Sequence, residues 1–486
     1  MRRSGEVVGD GMTVGHPAPV GKSLIFFVGP VRTGFREFLT AKMASGFLGI
    51  DGMSMENAMS KKLNGRGGRF VLLAAALLFA WGLRADTATV DGYTYTYSVT
   101  DGKATIESDK AESPAISPYP VGTVMIPSEL GGYPVVGLGT NALYKCMNLT
   151  EVVLPDSVTT IGRLAFGSCT RLTTLSIPNS VTNIHGQAFY RCYRLESFSV
   201  APDNKIFSSQ DGLLLSKDRT VLIQGISGRV DIPPCVVRIG DCAFYNGSLT
   251  EVTIPSSVTN IGQNAFFECN SLRNIVIPDS VTKIENWTFN RCSGLTSVSL
   301  PNSVMHIGDA AFYQCYNLED VTIPAGVTNI GTLAFYMCRK LVNLSIPKSV
   351  KQLGGGAFYR CSGLTDVSIP NSVPRIWWLT FSECTGLTHV VIPDSVKAID
   401  SNAFGGCTNL TSVWVPGHLK RVLPSDTFEG CNEALTVNYY DSSYTITFQQ
   451  DGEPVESRQC PEGAPLGVVL PTPPTREGYV FEGWWT

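Results

Sequence analysis

Fourteen cysteines and five histidines carry the most reactive side chains of this 486-residue chain, and their spacing limits what they could do. Eleven of the cysteines, Cys146, Cys169, Cys192, Cys269, Cys292, Cys315, Cys338, Cys361, Cys384, Cys407 and Cys431, fall on one recurring position, mostly 23 residues apart. If each 23-residue phrase winds one coil, these thiols stack in a column with Cα atoms about 5 Å apart. That lies within disulfide range, but side chains stacked in parallel keep their Cβ atoms near the same spacing rather than at about 3.8 Å. The expectation is a column of buried thiols acting as small apolar fillers. Some disulfides are the alternative, favoured if the chain is exported. A zinc site is not expected, because no C-x-x-C occurs and no histidine joins the column.

The histidines, His16, His185, His306, His389 and His418, occupy different places in the repeat and read as solvated positions that converge on neither a metal nor a nucleophile. The stretch GLGTNA at 137–142 imitates a dinucleotide fingerprint, but Leu138-Gly139 and Ala142-Leu143 align with ordinary repeat positions. Asp156, Asp279 and Asp394 precede serine in equivalent turns where other coils carry Asn179, Ser256, Asn302 or Lys348, so turn chemistry explains them better than a calcium ladder. No catalytic group, metal site or cofactor is expected. With 16% charged residues and a net charge of −4, the chain offers no basic surface for nucleic acid.

Recognition chemistry has better candidates. Tyr190, Tyr245, Phe267, Tyr313, Tyr336 and Tyr359 directly follow the repeat's phenylalanine position, interrupted by Asn290, and make an aromatic column along one side of the stack. They either pack against the adjacent coil and cap its edge or form a partner stripe, since tyrosine and tryptophan dominate binding hot spots. Trp287, Trp377, Trp378 and Trp414 stand where other coils carry small or polar residues. Trp377-Trp378 is the sharpest exception, replacing the expected bend glycine and the residue after it, and at least one of its rings is expected at the surface.

These residues need elements to position them. Leu149, Leu172 and Leu195 are 23 apart, and the same step resumes from Leu249 through Leu272, Leu295, Leu318, Leu341, Leu364 and Leu387 to Leu410. Within the phrase, apolar residues alternate as Val252 and Ile254 do, which predicts one short parallel strand per coil, ended by Pro255. Val258 and Ile261 re-enter the core, Gly262 is expected to bend the chain, and Ala265-Phe266 is expected in a short helical or 3-10 turn. No single coil buries enough surface to be stable, but a dozen stacked coils do. The 54-residue interval from Leu195 to Leu249 holds one atypical coil around DGLLLSKDRTVLI.

The phrase resembles the BspA-type leucine-rich repeat, close to L-T-x-V-x-I-P-x-S-V-T-x-I-G-x-x-A-F-x-x-C, over 126 to about 437. The end of the chain is similar to the Listeria-Bacteroides repeat, a small β-grasp-like surface module. Pro471, Pro473, Arg476, Glu477, Gly478, Tyr479, Phe481, Gly483 and Trp484 match its core, with one extra residue at Pro474. The expected fold is a β-rich solenoid, a leucine-rich repeat of about twelve 23-residue coils with short helical turns. It would carry an N-terminal β cap over 86–125, a solenoid over 126–437, a linker at 438–443 and a truncated module over 444–486.

Before the cap, a basic flank precedes FVLLAAALLFAW, Phe70–Trp81, whose 12 residues span about 18 Å as a helix and are too short for a hydrocarbon core of about 30 Å. This predicts an export signal over 60–85, with 1–59 as an upstream extension outside the true start, disordered, and no integral membrane protein once the signal is removed. The resemblance implies a secreted or cell-surface protein, adhesin-like and not an enzyme, with a protein partner such as a host or matrix protein or a neighbouring cell surface. Carbohydrate binding, through tryptophan and tyrosine stacked on sugar rings, and a passive structural spacer are the alternatives.

Overall fold

A computed structural model of the chain describes residues 85–465, apart from 109, 111, 112, 451 and 452, together with Leu470. The expected extension 1–59, the apolar run Phe70–Trp81 and the motif residues from Pro471 onward lie outside these.

Alternation decides the first strand of each coil. In Leu249–Thr253, Leu249 and Val252 are buried while Glu251 and Thr253 face outward. The element recurs with each repeat, so that Asn274–Val276 pairs in parallel with Ser297–Ser299 and Ile275 lies opposite Val298. A second, two-residue strand follows in the same coil. Lys283–Ile284, His306–Ile307, Asn329–Ile330 and Gln352–Leu353 form one continuous parallel ladder. Each regular coil thus adds a strand to two rows that run along the stack, the first row pairing in short sheets of two or three strands.

Between the ladders, one phenylalanine per coil stacks on the next. Phe289, Phe312, Phe335 and Phe358 are fully buried, with ring centroids 5.1 to 5.5 Å apart. Twelve A-F-type turns run from Ala142-Leu143 to Thr427-Phe428, and two further segments make the same inter-coil bond. The N–H groups of Ala115 and Gly225 donate to the Ala142 and Ala243 carbonyls at 3.0 and 2.7 Å, as Phe166 does to Ala188 at 2.9 Å. The solenoid therefore has about 14 turns rather than twelve.

The short helical turn expected at A-F is absent. Among the described residues the only helix is a 3-10 turn at Gly417–Leu419. The A-F segments are hydrogen-bonded turns with two left-handed residues in most coils, such as Ala310 (φ 50°) and Gln314 (φ 57°) on either side of Ala311-Phe312. A right-handed helix cannot propagate through either position. Leucine, tryptophan, glutamate and arginine occupy most of these places, as Leu164, Trp287, Glu268 and Arg291 do, and glycine only a few, at Gly356, Gly406 and Gly430, so the sequence carries little glycine signal for them.

The repeat glycine does something other than bend. A Cβ at Gly308 would lie 2.7 Å from the Asn286 nitrogen, and one at Gly331 would lie 2.6 Å from the Asp309 nitrogen. Glycine there lets successive coils touch backbone to backbone. Where Glu285 or Trp377 takes its place the second ladder is interrupted, stopping at Asn260–Ile261 and at Gln352–Leu353 before restarting in the following coil. His185 and Asp400 stand at the same position with the ladder intact, so size alone does not set the break.

At the N-terminal end, Asp86–Val90, Tyr93–Thr100 and Lys103–Ile106 pair antiparallel, and Lys103–Ile106 then runs parallel to Tyr133–Leu138 and closes the second ladder. Gly122–Met125 already pairs with Leu149–Val153 as a rung of the first ladder. In the atypical coil, Phe207–Gln210, Leu213–Ser216 and Val221–Gln224 form an antiparallel sheet whose last strand joins the second ladder beside Arg238–Ile239. Leu214 belongs to the N-terminal hydrophobic core and Leu213 and Leu215 to the C-terminal one, so the two faces of this strand join two cores. At the other end, Thr436–Tyr440 is the last rung of the first ladder, paired with Ser412–Pro416. Of the expected linker 438–443, only Asp441 and Ser442 stand between that strand and the hairpin Ser443–Gln450 and Glu453–Pro461.

Candidate interaction surface

The repeated polar letters hold the stack together. From Cys169 onward, each column thiol donates to the carbonyl of the phenylalanine position one coil earlier, Cys315 to Phe289 at 3.1 Å and Cys338 to Phe312 at 3.2 Å. All fourteen cysteines are free thiols. Those of the column fill apolar space as expected, and they also give a buried carbonyl a second hydrogen bond beside the one from its own coil. The serine of S-V makes a second such ladder, Ser303 to the Val281 carbonyl at 2.7 Å and Ser349 to Val327 at 2.6 Å. In the last coil His418 takes over that task, its Nε2 lying 2.8 Å from the Val396 carbonyl. His418 is therefore a ladder terminus rather than a merely solvated residue.

The aromatic column is half-buried and stacked on itself. Tyr245 lies 4.6 Å from Phe267, Tyr313 lies 4.4 Å from Tyr336, and Tyr190–Tyr245 and Tyr336–Tyr359 meet at 5.5 and 5.2 Å. Arg191 and Arg360 sit over Tyr190 and Tyr359, each 5.0 Å from the ring centroid, and the Tyr359 hydroxyl donates to Glu383 at 2.9 Å. Burial pushes the Tyr190, Tyr245, Tyr313 and Tyr359 hydroxyls above their ordinary range. Much of each ring is thus spent on its neighbours.

The tryptophans differ from one another. Trp377 and Trp378 are 37% and 41% exposed, adjacent, and unlike anything in the other coils. Arg375 stacks on Trp377 at 4.3 Å while its guanidinium donates to Asp400 at 2.6 Å. Trp378 lies on the preceding coil, where a Cβ at Gly355 would meet its Cε2 at 2.5 Å. Gly355 and Gly356 are buried beneath the indole. Trp287 is exposed in a different coil, at a left-handed position (φ 64°). Trp414 is half-buried on the outer side of the first ladder, and its Nε1 has no hydrogen-bond partner among the described residues.

A polar cluster closes the surface near the C-terminal end. On the outer side of the first ladder, Asp366 accepts two hydrogen bonds from Arg458 of the hairpin, at 2.5 and 3.1 Å. The His389 Nε2 is buried 3.9 Å from the same carboxylate, without a hydrogen-bond partner, and its Nδ1 lies 3.0 Å from Thr388 Oγ1. Burial lowers the His389 pKa, Asp366 opposes that shift and Arg458 adds to it. Two more contacts hold the hairpin end, from the Tyr440 hydroxyl to the Ile392 carbonyl at 2.5 Å and from Ser443 Oγ to Asp394 at 2.6 Å.

Sequence spacing missed this cluster because Asp366 and Arg458 are 92 residues apart and belong to different repeats. It also missed the seat of Trp378, although a signal was present. Gly354-Gly355-Gly356 occupies, one repeat earlier, the places of Trp377-Trp378-Leu379.

A stack of 23-residue coils with two parallel ladders and an inward Leu, Val, Ile, Phe and Cys at fixed places is a leucine-rich repeat β-solenoid. Its sequence matches the BspA-type leucine-rich repeat region in 6 copies, over residues 136–211, 227–342 and 328–449. The chain belongs to that family. Residues 444–486 match the Listeria-Bacteroides repeat domain. No curated protein matches the chain. Among solved structures it is similar to a leucine-rich cell surface protein from Faecalibacterium prausnitzii, at 27% identity over 74% of this chain and 96% of that one, with a TM-score of 0.45. A leucine-rich repeat protein from Bacteroides ovatus is similar at 25% identity over 73% and 100% of the two chains, also with a TM-score of 0.45. Among the described residues no helix is long and apolar enough to cross a membrane.

Proposed function

We propose that this is a secreted or cell-surface repeat protein that binds a protein partner, in the manner of an adhesin, and that Trp377 and Trp378 are the centre of the contact. Family membership and the basic-flanked apolar run ahead of the cap support the location. The observation that carries the binding site is a pair of exposed indoles with a stacked arginine, the side chains that dominate protein hot spots. The aromatic column, half-buried on itself, is a secondary candidate together with Trp287 and Trp414. Trp378 gives the carbohydrate reading a specific basis, because an indole seated over glycines and 41% exposed leaves ring surface on which a sugar can stack.

The test is surface plasmon resonance of the full chain over immobilised matrix proteins and over glycans, repeated with Trp377→Gly plus Trp378→Ser. The expected result is saturable binding to a protein, weakened by about 5- to 150-fold in the double variant, or about 1–3 kcal/mol. Unchanged protein binding in the variant removes the pair from the site, and binding confined to glycans transfers it to the carbohydrate reading.

A further inference from the structure

We propose that the C-terminal hairpin is a pH-sensitive latch, held on the outer side of the first ladder by Arg458 and Asp366 and released when His389 takes up a proton.

The hairpin Ser443–Gln450 and Glu453–Pro461 lies across solenoid coils that are distant in sequence, and the polar contacts identified there are few. Arg458 and Asp366 expose only 10% and 13% of their side chains, so their pair is largely out of water, where loss of either partner strands a charge. Arg458 also reaches the Leu470 carbonyl at 3.4 Å. His389 completes the contact. Its unpartnered Nε2 is buried against the carboxylate, which is already engaged by both guanidinium nitrogens. Among the described side chains, Asp366 of the preceding coil and Arg458 of the hairpin are the charged groups facing it, and the strand on its other side presents the neutral Ser412.

A proton on Nε2 would therefore add a second cation beside one shared carboxylate in a water-poor pocket. Undocking lets the imidazolium hydrate and separates it from Arg458. The sign follows from linkage. Docking lowers the His389 pKa, so the docked state binds fewer protons, and its stability is intact above the ordinary imidazole value of about 6.5 and declines as pH falls below it.

Hydrogen exchange of the full chain, read by mass spectrometry on peptides from 443–461, tests this at pH 7.5 and 5.5, with labelling times scaled for slower intrinsic exchange at the lower pH. The wild-type hairpin is expected to be protected at pH 7.5 and to exchange at least tenfold faster, after that scaling, at pH 5.5. His389→Gln, which cannot take up the proton, should stay protected at both. Asp366→Asn should be unprotected at both, while amides of the middle coils remain protected and report an intact solenoid. Equal wild-type protection at the two pH values overturns the proposal, as does acid release in His389→Gln or a hairpin still protected in Asp366→Asn.

Discussion

At the residue scale, the cysteine column shows how one small side chain serves two needs. An apolar replacement would fill the space but remove the second hydrogen bond of a carbonyl that otherwise keeps only the one from its own coil, as Phe289 does from the Cys292 N–H at 3.2 Å, and a typical hydrogen bond contributes about 0.5–1.5 kcal/mol net. Burial pushes the Cys146, Cys192, Cys292 and Cys361 thiols up to about 12 and holds several others well above their ordinary value. A thiol raised in the folded state contributes stability that is fully present below its unfolded value of about 8.5 and is lost as pH climbs toward the folded one. The melting temperature should accordingly fall as pH is raised from 8.5 to 11. Alkylation of the native protein at pH 8.5 should mark the exposed Cys235 first and leave the column until denaturant is added. Mass spectrometry showing column neighbours already joined, or labelled as fast as Cys235, would contradict this. Burial of the column was legible from its period. The thiol-to-carbonyl bonds were not, because they depend on where the preceding coil points its backbone.

At the element scale, the coil is legible where periodicity governs and opaque where backbone conformation does. Alternation in LTEVT placed the first strand and its inward face, and the repeated Pro ended it. The turn around A-F read as helical because Ala and Phe are compatible with helix and most of the left-handed residues are not glycine. Stacking fixes those residues, since the two N–H groups flanking Phe312, on Ala310 and Gln314, are held by the next coil at Thr332 and Tyr336. Phe312 rests between Phe289 at 5.3 Å and Phe335 at 5.1 Å, so Phe312→Ala opens a cavity shared by three coils. Thermal or urea unfolding should show a loss of roughly 3–5 kcal/mol. Thr322→Ala, at an exposed position just after the strand Asp320–Val321, should change stability by less than about 0.5 kcal/mol. Similar losses at the two sites would mean that the inward face is misassigned. The Trp377-Trp378 exception was visible in sequence, and the seat beneath Trp378 had its counterpart in the glycine run one coil earlier.

At the scale of the whole molecule, the repeat made a solenoid predictable, while its departures from regularity became visible only in three dimensions. Those departures are the two-core joint at Leu213–Ser216, the hairpin folded back onto the first ladder, and the gaps in the second ladder beside Glu285 and Trp377. The gaps bear on how the molecule would behave under load. Ladder hydrogen bonds lie along the stack, so tension applied between the cap and Pro461 loads the rungs in series, each coil carrying the whole force. Coils then peel away singly instead of shearing together. Each 23-residue coil would release about 80 Å of chain. In an optical trap the extension trace should climb in steps of that length and begin where neither ladder pairs neighbouring coils, between Asn260–Ile261 and Lys283–Ile284, whose first-ladder strands Leu249–Thr253 and Asn274–Val276 also lie in separate sheets. One abrupt rip of the entire stack would show that the rungs share the load. A chain that yields coil by coil can lengthen under a pull and shorten again afterward while most of its surface, the tryptophan pair included, keeps its shape.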